Sequence, residues 1–334
     1  SGPAGLTAAY HLARFGYHVK IIESAPEIGG LLRTGIPEFR LPEELVDREI
    51  DRILDLGIEV QTDHHIDRRS LLELARDHDA VLVATGQQLQ RELQLGMNGT
   101  DAVEQGIDFL DQVHQGGVRV DGEDIVVIGG GNTAMDAARS ALRLGAESVR
   151  VVYRRTRQEM PAIREEIDEA IEEGIKIDFL TQPIDLKPTD SNGERRLYRL
   201  TCRRMRLGDP DESGRRAPVE IPDSNFELAC HRLILALGQS PDVSVFPEGT
   251  EVREGTQLLG LLETPLFAIG DLATREGTVA AAIGSGRRSA VHVHNMLSGE
   301  HVEISEHAEA LRDVDVWRDE VIRADTMKLH LFER

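Results

Sequence analysis

Apolar positions recur along the chain first at helical and then at strand spacing. Ala8, Ala9, Leu12 and Ala13 share one face of a helix that follows Ser1-Gly2-Pro3-Ala4-Gly5-Leu6 and stops at Gly16, and a strand is predicted over His18 to Glu23. Leu45, Val46, Ile50, Ile53 and Leu54 mark a second amphipathic helix, ending at Gly57, with a strand over Ile58 to Gln61. A further apolar run, Ala80 to Ala84, ends in Thr85-Gly86.

The pattern then restarts. A buried strand over Asp124 to Ile128, a turn at Gly129 to Gly131, a helix over Asn132 to Leu144 ending at Gly145, and a strand over Val149 to Tyr153 form a complete βαβ unit of the same design as the first. From Ile175 to Leu237 the spacing changes to strand alternation, over Lys176 to Leu180, Tyr198 to Met205 and Phe226 to Leu235, with the polar stretch Asp209 to Arg216 as a hairpin tip. A short strand over Leu266 to Ile269 leads into Gly270-Asp271, a long helix covers Val279 to Leu297, and residues after about 300 are polar and irregular. The chain opens on a glycine turn and helix, a pair that normally follows a buried parallel strand. The expectation is a fragment that lacks that strand, with a C-terminal tail cut before a further domain.

The second glycine turn carries the clearest chemistry. Gly129-Gly130-Gly131-Asn132-Thr133-Ala134 fits G-x-G-x-x-[GA] between strand and helix: Gly129 for the tight turn, Gly131 for approach of a pyrophosphate, Ala134 for close helix packing. At the end of the following strand, where sites for NAD place an acid, stand Tyr153-Arg154-Arg155 with Arg157 close by. Paired guanidinium groups there suit a 2′-phosphate and predict NADP. At the N-terminus Gly2-x-x-Gly5 is the latter half of the same fingerprint, and Glu23 stands where an acid binds an adenosine ribose that lacks a 2′-phosphate. Gly270-Asp271 places a third acid at a strand end before a helix, where it can accept a sugar-chain hydroxyl and the helix end can offset charge on a reduced flavin.

Composition narrows the partners. The 334 residues are 40% hydrophobic and carry a net charge of −21, which predicts two soluble domains or slightly more and argues against nucleic acid and anionic membranes. No apolar run is long enough to span a membrane, and a cytoplasmic location is the default. Cys202 and Cys230 form neither a C-x-x-C pair nor a ligand cluster, so redox chemistry has to come from a bound cofactor.

In order and separation these motifs resemble the two-dinucleotide flavoprotein disulfide-reductase superfamily. Within it, Gly29-Gly30-Leu31-Leu32-Arg33-Thr34-Gly35-Ile36-Pro37-Glu38-Phe39-Arg40-Leu41-Pro42, Gly130 to Asp136, Val152 to Arg155 and Glu159-Met160-Pro161-Ala162 look like the small subunit of NADPH-dependent glutamate synthase and the matching part of dihydropyrimidine dehydrogenase. The resemblance covers about residues 1 to 300 and implies an α/β fold of two Rossmann-like domains, the NADPH domain (116–238) inserted in an FAD domain (1–115 and 239–300), followed by a tail (301–334).

It further implies FAD contacts at Gly2, Pro3, Ala4, Gly5, Glu23, Gly30, Leu31, Arg40 and Ile66, the last through its backbone, with Gly270, Asp271 and Thr278 closing the flavin site. On the NADPH side it implies Gly130, Gly131, Asn132, Thr133, Arg154 and Arg155, with Ala236-Leu237-Gly238 at the nicotinamide end. Hydride would pass from nicotinamide to flavin with no catalytic acid or base. Electrons would leave through iron–sulfur clusters in missing segments or in a partner, such as a large catalytic subunit. A standalone ferredoxin–NADP reductase-like flavoenzyme and a non-catalytic nucleotide-binding subunit are the alternative readings.

Overall fold

The computed structural model describes residues 1–93, 95, 102–189, 196–211, 214–246, 250, 252, 264–299 and 301–302. The chain divides into two units, Ser1–Ala290 and Val291–Arg334.

The first unit opens with α1 (Pro3–Arg14), β1 (Lys20–Ile22), the short α2 (Leu31–Thr34), α3 (Glu43–Leu54), β2 (Glu59–Gln61), α4 (Arg68–Asp77) and β3 (Val81–Val83). Pro3 in the first turn of α1 suits a helix start, because its missing N–H is one of the donors that has no helical acceptor there. β1 and β2 pair in parallel, and the apolar faces of α1 and α3 close over them through Leu6, Ala9, Val46 and Ile50. Asp67 caps α4 by accepting from the Ser70 N–H at 2.8 Å.

Next come β4 (Leu89–Gln90), β5 (Val103–Gln105), α5 (Gly106–His114), β6 (Asp124–Gly129), α6 (Asn132–Arg143), β7 (Ser148–Val152), α7 (Arg164–Glu172) and β8 (Lys176–Asp178). The chain continues through β9 (Thr181–Pro188), β10 (Tyr198–Pro210), β11 (Arg216–Cys230), β12 (Arg232–Ala236), β13 (Gln239–Ser240), β14 (Leu266–Ala268) and α8 (Val279–Ser298). A five-stranded parallel sheet runs β5-β12-β6-β7-β8. It recruits Val103–Gln105, which lies before the expected boundary at 116, so the sheet begins earlier in the chain than the glycine motif suggests.

Alternation along the strands builds three layers. Ile125, Val127, Val149 and Val151 face the helical side with Met135, Ala138, Ile167 and Phe109. Val126, Ile128, Val152 and Leu233 face the antiparallel sheet β9-β10-β11 with Leu186, Leu200, Cys202 and Cys230. Burial on both faces explains the continuous apolar run over 125–128, and each such side chain contributes about 1.5–3 kcal/mol relative to exposure. The expected strand Phe226 to Leu235 is two strands. The chain leaves the antiparallel sheet at Cys230 and enters the parallel one at Arg232, with His231 between them accepting the Asp124 N–H at its Nδ1 at 2.9 Å.

β14 returns to pair in parallel with β3, more than half the chain length away, and β13 pairs with β4. The strands on either side of the five-stranded sheet are thus joined to each other, which makes that sheet an insertion between them. In the second unit, Asn295 holds Val302 through two hydrogen bonds, Nδ2 to O at 3.0 Å and Val302 N to Oδ1 at 2.8 Å. The predicted tail from residue 303 on lies outside the described residues. Among the described residues, no helix is long and apolar enough to cross a membrane.

Candidate functional site

Two helix N-termini gather the expected residues. The first is α1, capped by Gly2 with extended backbone; the N–H groups of Ala4 and Gly5 precede the first helical bond, Leu6 N to Gly2 O at 3.0 Å. Four distant segments close on this turn. Gly30, at φ +55, lies so near Gly2 that a Cβ on it would meet Gly2 Cα at 2.9 Å. A Cβ on Gly270 would meet Ala4 Cβ at 2.6 Å, and one on Gly286 would meet Ala4 O at 2.2 Å. Gly5 packs against Ala84, with Cβ spacing of 3.4 Å. At Gly2 itself nothing lies within 4 Å of a would-be Cβ, so the surface over the helix end is open. An open glycine before unbonded N–H groups fits a pyrophosphate.

The residues flanking this turn are held by their own hydrogen bonds. Glu23 follows β1 and accepts from Ser1 Oγ at 2.6 Å and from the Ala25 N–H at 3.0 Å. Burial opposes its charge, and the hydrogen bonds from Ser1 and Ala25 favour it. The Gly270 N–H donates to the buried Ser285 Oγ at 2.8 Å, and Asp271 accepts the Gly277 N–H at 3.0 Å. Thr278 caps α8 by accepting the Ala281 N–H at 3.2 Å. Leu31 is exposed at the start of α2, and the Ile66 side chain packs with Leu71, Val83 and Phe246. Sequence reasoning missed Ser285 and Gly286; a small residue repeated within a helix, Gly284-Ser285-Gly286, was the available signal.

Arg40, an expected flavin contact, is held by two acids. Its Nη1 donates to both Asp136 oxygens at 2.7 and 2.8 Å and its Nε pairs with Glu166 at 2.6 Å, which ties the segment after α2 to α6 and α7. Burial raises Asp136 to about 6 in spite of this arginine.

The second N-terminus is α6. Gly129, at φ +151, has Ala236 O where a Cβ would come within 2.2 Å, so the turn demands glycine. Gly130 lies against the ring of Tyr153, 2.5 Å from a would-be Cβ, while at Gly131 only Pro161 Cγ approaches, at 3.9 Å. The open position is therefore Gly131, in front of the Asn132 and Thr133 N–H groups, and it too fits a pyrophosphate. Asn132 Oδ1 accepts the Ile163 N–H at 2.9 Å, which fixes the Met160–Ile163 loop beside the turn. Gly238, at φ +84, turns the chain from β12 to β13, and its carbonyl accepts from the Arg91 N–H at 3.3 Å.

Arg154 and Arg155 part company at the end of β7. Arg154 stands at the surface and forms no salt bridge among the described residues; partial desolvation, then the charges of Arg155 and Arg215, lower its pKa. Arg155 is 3% exposed and points into the hairpin, Nη2 to Asp211 at 2.5 Å and Nε to the Arg216 carbonyl at 2.8 Å. The two cysteines are free and buried, and burial pushes both thiols up to about 12, so neither is a reactive thiolate.

The family model for pyridine nucleotide-disulphide oxidoreductases matches residues 1–286. The chain is 39% identical over 309 residues to the NADP(+)-dependent formate dehydrogenase subunit beta of Moorella thermoacetica, covering 89% of this chain and 43% of that protein. It is 34% identical over 316 residues to the small chain of glutamate synthase (NADPH) of Azospirillum brasilense, covering 88% of this chain and 64% of that protein. The chain thus spans about half the length of these curated relatives. Among solved structures, FprA of Mycobacterium tuberculosis in complex with NADPH has the same fold, with TM-score 0.70 at 17% identity over 94% of this chain and 87% of that one. The chain belongs to the pyridine nucleotide-disulphide oxidoreductase family.

Proposed function

We propose that this chain is the NADPH-oxidising, FAD-holding part of an electron-transfer enzyme, and that its electrons leave for iron–sulfur clusters in a partner, such as a large catalytic subunit. FAD is assigned to the α1 turn and NADPH to the α6 turn. The observation that carries the reading is the pair of helix N-termini, each fronted by a glycine with open space, with Arg154 beyond the second. A flavin held there would supply the redox chemistry between nicotinamide and acceptor.

The protein's own part is positioning. Gly2, Pro3, Ala4, Gly5 and Gly30 receive the FAD pyrophosphate region, with Glu23 at the adenosine ribose, and Gly270, Asp271 and Thr278 close the flavin end. Gly131, Asn132 and Thr133 receive the NADPH pyrophosphate, and Gly238 stands at the nicotinamide end. The relatives whose names specify NADP or NADPH support the choice of nucleotide, as does the absence of a carboxylate at Arg154. A subunit role is supported by the same names, a beta subunit and a small chain. A cytoplasmic location goes with this reading, because free buried cysteines suit a reducing compartment.

The test is anaerobic rapid mixing of the full-length flavoprotein with NADPH and, separately, NADH. Bleaching of the flavin band by NADPH at far lower concentrations than NADH is the expected result. A flavin that NADPH does not bleach would overturn the reading.

A further inference from the structure

The β10–β11 hairpin packs on the face of the parallel sheet opposite its helices, and Arg155 ties its tip to the end of β7. Arg155 bridges both of its strands, donating to the Asp211 carboxylate just after β10 at 2.5 Å and to the Arg216 carbonyl at the start of β11 at 2.8 Å. Both Arg155 donors in these bonds are buried, and such a pair is lost at high cost when one member is removed. The tip is closed by its own backbone: the Asp211 N–H donates to Arg215 O at 2.8 Å, and the Gly214 N–H to Asp211 O at 2.8 Å. Arg215 is therefore backbone-paired with Asp211, the residue gripped by Arg155, which is the chain neighbour of Arg154.

We propose that Arg155 is a positioning residue that does not touch the dinucleotide: it clamps the hairpin tip beside β7, so that Arg154 and Arg215 together bind the 2′-phosphate of NADPH. The inference rests on the NADPH assignment above. Two arginines supplied by different elements give a planar, charge-assisted grip that a single one cannot. The electrostatics agree: after partial desolvation, the charges of Arg155 and Arg215 lower the pKa of Arg154, and a dianionic phosphate would relieve that repulsion. The sequence pair Arg154-Arg155 thus contains one ligand and one strut.

The test compares steady-state kinetics with NADPH and NADH for Asp211→Ala, Arg155→Ala, the double variant, Arg215→Ala and Arg154→Ala in the full-length flavoprotein. Asp211→Ala and Arg155→Ala are expected to raise the NADPH KM by a similar factor, about tenfold, while kcat and the NADH KM stay near wild type. The double variant should be no worse than either single one, because both break the same contact. If Arg155 instead binds phosphate directly, Asp211→Ala frees it from a competing carboxylate and lowers or spares the NADPH KM, which overturns the clamp. Arg215→Ala keeps both members of the Arg155–Asp211 contact and covers the case where the clamp variants fail to fold; an unchanged NADPH KM there overturns the second ligand. Arg154→Ala separates the levels. No effect of Arg154→Ala on the NADPH KM removes the NADPH assignment itself, whereas an effect there with none at Arg215 and Asp211 removes the hairpin inference alone.

Discussion

Gly130 and Gly131 are neighbours, and the space around them differs in kind. The ring that crowds Gly130 belongs to Tyr153, which is 7% exposed and anchored by its hydroxyl, donating to Glu159 O at 2.7 Å. That ring cannot retreat, so Gly130→Ala should cost about 1–3 kcal/mol through overpacking, read as a lower thermal midpoint. Gly131 has room, with Pro161 Cγ at 3.9 Å as its nearest neighbour, and an ordinary φ of −91. Gly131→Ala should therefore leave stability within about 0.5 kcal/mol. Its methyl would stand where a pyrophosphate meets the backbone, and NADP+ affinity measured by calorimetric titration should fall about tenfold or more. Equal stability losses at the two positions would contradict this division. The fingerprint in the sequence shows that small residues are needed here. Only the fold shows that one is small for a neighbouring side chain and the other for open space.

Charged side chains on α6 and α7 form the densest ion-pair network at element scale. Arg139, 4% exposed, reaches Glu166, Glu169 and Glu173, Arg143 also pairs with Glu173, and Phe39 lies over both guanidinium groups at 4.8 and 4.0 Å. Hydrogen bonds from Arg143, against some desolvation, and from Arg139 hold the Glu173 carboxyl down at about 2 from an ordinary 4.5. A depressed carboxylate contributes stability that is fully present above the unfolded value and is lost as pH falls through the folded one. Glu173→Gln should thus be less stable than wild type by about 1–2 kcal/mol at pH near neutral, after allowance for solvent screening. The gap in urea midpoints should shrink between pH 4.5 and about 2. A gap that stays constant over that range would mean the loss is one of packing.

The sequence pattern located α6 from its alanines and glycine stop, because a 3.6-residue period is a local property. It did not show that Asp136 and Arg139 lie inside, since their partners Arg40 and Glu173 come from other elements. β5 was illegible for the same reason: three residues with one apolar position become a strand only by pairing with β12. The role of Arg155 was hidden too, as its partner lies 56 residues further along.

At the scale of the whole molecule, the two proposed nucleotide sites stand in structures of different kind. The site at α6 is built on the continuous run β6, α6, β7, and the core around it also takes in α5 and β12. The site at α1 depends on chain closure, because Gly270 and Gly286 reach Ala4 only once β14 has paired with β3. Retention of FAD should therefore be sensitive to the crossing of α8 over α1, where the Cβ of Gly286→Ala would meet a backbone carbonyl, Ala4 O, at 2.2 Å. A backbone atom inside a helix cannot swing aside as a side-chain end can, so the two helices would have to separate. The expected outcome for Gly286→Ala is a flavin-to-protein ratio well below wild type after purification, with NADP+ affinity in calorimetric titration unchanged. Full flavin occupancy would show that the crossing does not hold the FAD end. Loss of both ligands together would show that the α6 unit depends on the chain closure that builds the α1 turn.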